Sequence, residues 1–167
     1  MPIILSRYES PLGRLTLATE GAALLALEFP GRAGAVRAHL KAVRPGIAVE
    51  EGPPPARVAA ALEAYFGGDL RALDRLEVET GGTAFQREVW AALRRIPAGQ
   101  VWSYARLARE VGRPRATRAV GAANGRNPVA LVVPCHRVIA TGGKLGGYGG
   151  GLDRKEWLLR HERALIA

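Results

Sequence analysis

A chain of 167 residues, 48% hydrophobic and 23% charged, is long enough to bury a real core and fits one medium domain or two small ones. Its single cysteine excludes an intramolecular disulfide framework and points to a reducing, cytoplasmic compartment; the histidines His39, His136 and His161 have no zinc-type ligand spacing, and no apolar run approaches a signal peptide or the roughly 20 residues of a membrane span. The formal charge of +9 is uneven: residues 1–80 hold nine Arg/Lys against ten Asp/Glu and residues 81–167 fifteen against five, so all the positive excess lies in the second half, where it favours phosphate polyanions.

In chain order, Ile3 to Tyr8 and Arg14 to Ala18 read as strands joined by the turn Ser10-Pro11-Leu12-Gly13, and Ala23 to Phe29 follows Glu20-Gly21 as a third, making a meander. Arg32 to Val43 is helix-like. Ala56 to Phe66 reads as a second helix with Val58, Leu62, Tyr65 and Phe66 on its apolar side, stopped by Gly67-Gly68. Gly81-Gly82 marks the expected boundary between a domain of residues 1–80 and one of residues 81–167. Beyond it Thr83 caps a helix through Phe85, Val89, Trp90 and Leu93, which closes before Ile96-Pro97-Ala98-Gly99, and Ser103 caps the next, with Tyr104, Leu107, Ala108 and Val111 on one face. A third runs from Arg115 or Ala116 to Ala123, with Ala116, Ala119, Val120 and Ala123 expected inward and Arg115 and Arg118 left free. Two short helices joined by a Gly-containing turn are the pattern of a helix-turn-helix unit, and the charge asymmetry favours DNA over an ordinary packed pair.

The run Asn127 to Ile139 ends an apolar stretch in Pro134-Cys135-His136-Arg137-Val138. A thiol flanked by a histidine and an arginine is in surroundings that favour thiolate, the nucleophilic form. The run is expected to reach the cysteine as a strand, whose adjacent side chains point to opposite faces, which argues against a direct Cys-His hydrolase dyad. Further on, Asp153-Arg154-Lys155-Glu156 has the spacing of a capping box for a last helix.

The segments Ser103-Tyr104, Thr117 to Gly121, Asn127-Pro128, Pro134 to Val138, Gly146 to Gly151 and Lys155 to Glu162 resemble the O6-alkylguanine-DNA alkyltransferases, also called methylated-DNA protein-cysteine methyltransferases. The resemblance covers the second half in order; the first half shares only length and its strand-then-helix sequence. It implies an α+β protein, with a small N-terminal α/β domain built on an antiparallel sheet and a C-terminal, mainly helical, winged helix-turn-helix domain. It also implies DNA repair by irreversible transfer of the alkyl group of O6-alkylguanine, and of O4-alkylthymine, to Cys135, once per molecule and without metal or cofactor. By the same resemblance His136 makes the thiolate through a water, Glu162 orients the imidazole, Asn127 holds the turn before the cysteine, and Tyr104 donates to guanine N3. Val138, Tyr148 and Gly149 line the base pocket; where some members have serine, Gly149 keeps the backbone N–H and leaves room for bulkier alkyl groups. The implied partner is double-stranded DNA, gripped through the minor groove by a monomer with contacts at Gln86, Tyr104, Ala105, Arg113, Arg115 and Arg118, the last filling the space left by a flipped base. The alternative from another class is a lesion-binding or regulatory DNA-binding module without chemistry, against which Cys135 itself argues.

Overall fold

The structure is a computed structural model that describes residues 1–140 and 142–164. The chain forms two compact units, Met1–Gly81 with Pro128–Val132 and Gly82–Asn127 with Val133–Ala167. The stretch expected as an uninterrupted domain of residues 81–167 therefore lends five residues to the first unit. The Gly81-Gly82 pair at the junction is required on both sides. A Cβ on Gly81 (φ 67°) would stand 2.5 Å from Val43 Cγ1, and one on Gly82 (φ 85°) 2.8 Å from Trp90 Cζ3.

In the first unit the expected meander is present as β1 (Ile3–Ser10), β2 (Gly13–Glu20) and β3 (Ala23–Glu28), all antiparallel, with Ser10 Oγ donating to the Gly13 carbonyl at 2.7 Å in the first turn. A fourth strand not expected from the sequence, β4 (Val49–Glu51), pairs parallel to β1, giving the order β3-β2-β1-β4. It lacks a period-2 signal because all three residues are exposed. Helix α1 (Ala33–Val43) covers one face, its Val36 and Leu40 joining Ile3, Leu5, Ala18, Leu25 and Ala26 in one buried cluster. Helix α2 (Ala56–Phe66) buries Val58, Leu62 and Tyr65 at the expected spacing. Beyond the sheet's far edge, β3 meets two short chain passes, through bridges from Leu24 to Val78 and from Leu27 to Val129.

The second unit is mainly helical: α3 (Ala84–Leu93), β5 (Trp102–Ser103), α4 (Tyr104–Glu110), α5 (Thr117–Gly125), a 3-10 turn (Cys135–Arg137), β6 (Val138–Ile139) and α6 (Leu152–His161). Thr83 and Ser103 cap α3 and α4 as expected, Thr83 in a full capping box with Gln86. Helix α5 buries Val120, Ala123 and Asn124, whereas Ala119, expected inward, is exposed. The buried Trp90 indole N–H donates to the Ala123 carbonyl at 2.8 Å and ties α3 to α5. The two-residue strands β5 and β6 pair in parallel, Trp102 opposite Val138. Among the described residues, no helix is long and apolar enough to cross a membrane.

Candidate active site

Cys135 does not arrive on a strand. It opens the 3-10 turn Cys135–Arg137, and its N–H closes a tight bond to the Val133 carbonyl at 2.8 Å, repeating the bond of Val132 to Ala130 at 2.8 Å. Leu131 between them sits at φ 72°, a left-handed conformation that is strained for a bulky residue. The alternation argument against a Cys-His pair thus loses its basis, since a turn this tight does not alternate its side chains. Asn127 holds the turn in shape, its buried Nδ2–H donating to the Val133 carbonyl at 2.7 Å, the placement expected for it.

The turn puts Cys135 and His136 inside the protein, 7% and 0% exposed. His136 Nε2 lies 2.8 Å from Glu162 Oε2, so the residue that follows α6 is brought to the imidazole across 26 positions of chain. A carboxylate only accepts, so Nε2 carries the proton and the neutral ring keeps its lone pair on Nδ1, which has no hydrogen-bond partner among the described residues. Burial pushes the His136 pKa down, the Arg137 and Lys155 charges add to that, and Glu162 opposes it; the net direction is down and the ring is neutral. Burial alone would raise the Glu162 carboxyl, but His136 and Arg137 outweigh it and hold it well below the usual carboxylate range.

Two charged residues that sequence reasoning did not assign complete the site. Arg137, 5% exposed, donates from Nε to Glu162 Oε1 at 2.8 Å, from Nη2 to Oε2 at 3.0 Å and from Nη1 to the Ile96 carbonyl at 2.7 Å. It binds the carboxylate rather than serving as the cation beside the thiol. Lys155, 0% exposed, donates from Nζ to the Val138 carbonyl at 2.7 Å and to the Gly147 carbonyl at 3.2 Å. Burial lowers its pKa to about 8, while negative charge at Cys135 works the other way. A readable signal existed for it: Lys155 shares the core-facing stripe of α6 with Leu158, Leu159 and Glu162, and a cation on such a stripe is buried only if paired. The expected capping box at Asp153-Glu156 is not formed; Gly151, at φ 96°, swings the chain into α6, which begins at Leu152 without a side-chain cap.

Tyr104, at the first position of α4, is half-buried. Its ring lies near Gly121 of α5 and Gly146 of the glycine-rich loop, where added Cβ atoms would sit 3.7 Å and 3.6 Å away. Burial raises its phenol pKa, charge at Cys135 raises it further, and a hydrogen bond from the Asn124 side chain opposes both. Asn124 is a further residue that the sequence reasoning missed, though it falls on the buried stripe of α5 with Val120 and Ala123. Val138 is buried, Tyr148 is half-buried with its ring centroid 6.0 Å from Lys155 Nζ, and Gly149 is exposed.

The residues expected to meet DNA are less concentrated. Arg115, in the turn before α5, and Arg118, in its first turn, are exposed, and Ala105 is half-buried on α4. Gln86 already accepts the Thr83 N–H at 3.0 Å, and Arg113 stacks over Phe85 at 5.3 Å and pairs with Glu88 at 3.6 Å. Among the described residues no group of three His, Cys, Asp or Glu could hold a metal ion.

Residues 84–164 match the family model described as 6-O-methylguanine DNA methyltransferase, DNA binding domain, and residues 3–80 match the one described as 6-O-methylguanine DNA methyltransferase, ribonuclease-like domain. The chain is 47% identical over 164 residues to a methylated-DNA–protein-cysteine methyltransferase of Mycolicibacterium paratuberculosis, an alignment covering 93% of this chain and 89% of that protein. It is 61% identical over 112 residues to the protein of that name from Salmonella typhimurium, spanning 67% of this chain and 66% of the relative's length. A crystal structure of a Mycobacterium tuberculosis protein in complex with DNA superposes with a TM-score of 0.79 at 40% identity, covering 96% of this chain and 92% of that one.

Proposed function

Because the chain belongs to the methylated-DNA–protein-cysteine methyltransferase family, we propose that it repairs DNA by moving the alkyl group of O6-alkylguanine onto Cys135, irreversibly and once per molecule. The observation that carries this reading is the buried line from Cys135 through His136 to Glu162, a nucleophile, base and orienter inside a matched family chain. The imidazole lone pair at Nδ1 takes the thiol proton, through a water where the two do not touch. The thiolate attacks the alkyl carbon in line; the S–C bond forms as the C–O6 bond breaks, and the electron pair stays on the departing guanine. Tyr104 donates to N3 of that base as charge develops, and the Lys155 ammonium offsets the charge of the thiolate. The product is a thioether, a poor leaving group, and the chain has no second thiol to remove it.

The same O-alkyl edge makes O4-alkylthymine a second substrate. Val138, Tyr148 and Gly149 form the base pocket, and the thiol's burial requires the damaged nucleotide to leave the duplex. The exposed Arg118 on the first turn of α5 suits the role of filling the vacated stack from the minor groove, with Arg115, Arg113, Ala105 and Gln86 around it. The protein acts as a monomer on double-stranded DNA in the cytoplasm, where its one thiol stays reduced. The test is intact mass after mixing with an O6-methylguanine duplex. The expected result is a single methyl in place of the thiol proton, located on Cys135, with one lesion lost per chain; lesion loss with unmodified Cys135, or continued turnover, overturns the reading.

A further inference from the structure

We propose that Arg137 is a positioning residue for the thiol chemistry: by gripping both oxygens of Glu162 it fixes that carboxylate on Nε2 of His136 and partly offsets its charge, adding to the burial that leaves the imidazole neutral. The proposal rests on the reading of Cys135 as nucleophile and His136 as its base. The geometry is a two-point grip of 2.8 Å and 3.0 Å, with the third donor anchored on the Ile96 carbonyl at 2.7 Å. The anchor is itself fixed, because the loop that follows Ile96 passes so close that a Cβ on Gly99 (φ 91°) would stand 3.2 Å from the Glu162 carbonyl. Arginine suits this role because its planar fork matches a carboxylate at two points, which lysine cannot do.

The consequence lies in the charges that face His136. Cys135 and Arg137 flank it on its own turn, Glu162 and Lys155 reach it from α6 and the residue beyond, and Tyr104 of α4 faces Cys135. Burial is the largest influence that keeps the imidazole neutral; the Glu162 charge pulls the ring towards the cation, and Arg137, held on that carboxylate, works against the pull. Without Arg137 an uncompensated buried carboxylate would sit 2.8 Å from Nε2 and favour imidazolium, which has no lone pair left to accept the thiol proton. For a nucleophile used once, a resting neutral base keeps the thiol protonated and spares it from stray electrophiles until a lesion is bound.

The test compares the wild type with Arg137→Gln and Arg137→Lys. Histidine ring 15N spectra follow His136, and single-turnover methyl transfer from an O6-methylguanine duplex is timed across pH. In the wild type His136 is expected to remain the Nε2–H tautomer from about pH 6 to 8, the range around the ordinary histidine pKa. In Arg137→Gln the imidazole should titrate at higher pH, with the acid limb of the rate profile moving by the same amount; for every pH unit the limb moves, transfer on the acid side slows about tenfold, while the alkaline side stays nearly unchanged. Arg137→Lys keeps the charge and loses the two-point grip, so the limb should stay in place while the rate falls at every pH. An Arg137→Gln protein with unshifted histidine spectra and pH profile, altered only in melting temperature, would make Arg137 a packing residue and overturn the proposal. Should the Gln variant not fold, Arg137→Lys decides: a rate equal to wild type throughout defeats the two-point grip. Wild-type protein that leaves Cys135 unmodified would defeat the parent reading instead, and the His136 spectra would still report on Arg137.

Discussion

Glu162 Oε2 accepts from two cation-forming groups at once, the His136 ring at 2.8 Å and Arg137 Nη2 at 3.0 Å. An amide in that position presents only one accepting oxygen and turns an N–H₂ towards donors. Glu162→Gln should therefore leave the Arg137 guanidinium buried without its counter-charge, and breaking a buried pair from one side costs about 3–5 kcal/mol. The expected outcome is a lower melting temperature together with slow methyl transfer, checked by thermal unfolding and by timing lesion loss on a duplex. Asp in the same place keeps the charge but shortens the reach, and should recover more stability than activity, because the grip of Arg137 adapts more readily than the contact to Nε2.

At the scale of elements, α4 and α5 present Tyr104 and Arg118 from two adjacent helix starts, one half-buried towards the thiol and the other exposed. Arg118→Ala should slow transfer from duplex DNA much more than transfer from free O6-benzylguanine, which needs no base extrusion. Equal slowing on both substrates would place Arg118 at the thiol instead. Elements with local signals were legible from the chain: Thr83 and Ser103 announce α3 and α4 because a side-chain oxygen three residues before a free N–H is a local fact. The start of α6 was not, because Asp153 and Glu156 mimic a capping box while the entry is made by the backbone of Gly151 at φ 96°. The apolar run before Cys135 resembled a strand, and only two successive tight bonds and the left-handed Leu131 convert it to a turn. At the site, Cys135, His136, Asn127 and Glu162 were named through the resemblance to the family, and the fold brings His136 to Glu162 and Asn127 to the turn before Cys135. Arg137 was not, since its partner lies 25 residues away and is chosen by the fold; Lys155 was legible only as a cation on the apolar stripe of α6, not in its acceptors, which the fold supplies from as far as 17 residues away.

For the whole molecule, the buried site links repair and stability. Alkylated Cys135 must find room at a position only 7% exposed, in a segment where Val133 and Val138 are 1% and 0% exposed, and overpacking costs about 1–3 kcal/mol. The reacted protein should melt below the unreacted one; an unchanged or raised midpoint would mean that the pocket opens towards the glycine-rich loop. The same groups set an acid limit. His136 has a folded pKa below its unfolded value, and so does Glu162, so below about pH 6.5 for the first and about 4.3 for the second the unfolded chain binds more protons. Stability should therefore fall as pH drops from neutrality towards 4, first through His136 and then through Glu162, as followed by denaturant midpoints across that range. His136→Asn should flatten the upper part of this curve and also weaken the lower part, because His136 is the leading cause that holds Glu162 below its usual range; Arg137 keeps part of it in place.

The five residues Pro128–Val132 that the first unit borrows hydrogen-bond to the edge of its sheet, Leu27 donating to the Pro128 carbonyl at 3.0 Å and receiving the Ala130 N–H at 3.0 Å. A ribosome finishes that sheet long before it reaches them, and domains generally fold as they emerge, the N-terminal one first. The borrowed stretch thus meets a finished template, and the tight turn that carries Cys135 begins at the very next residues. The order of synthesis thus brings the single thiol to its place last: the stretch that completes the first unit is the one that leads directly into Cys135.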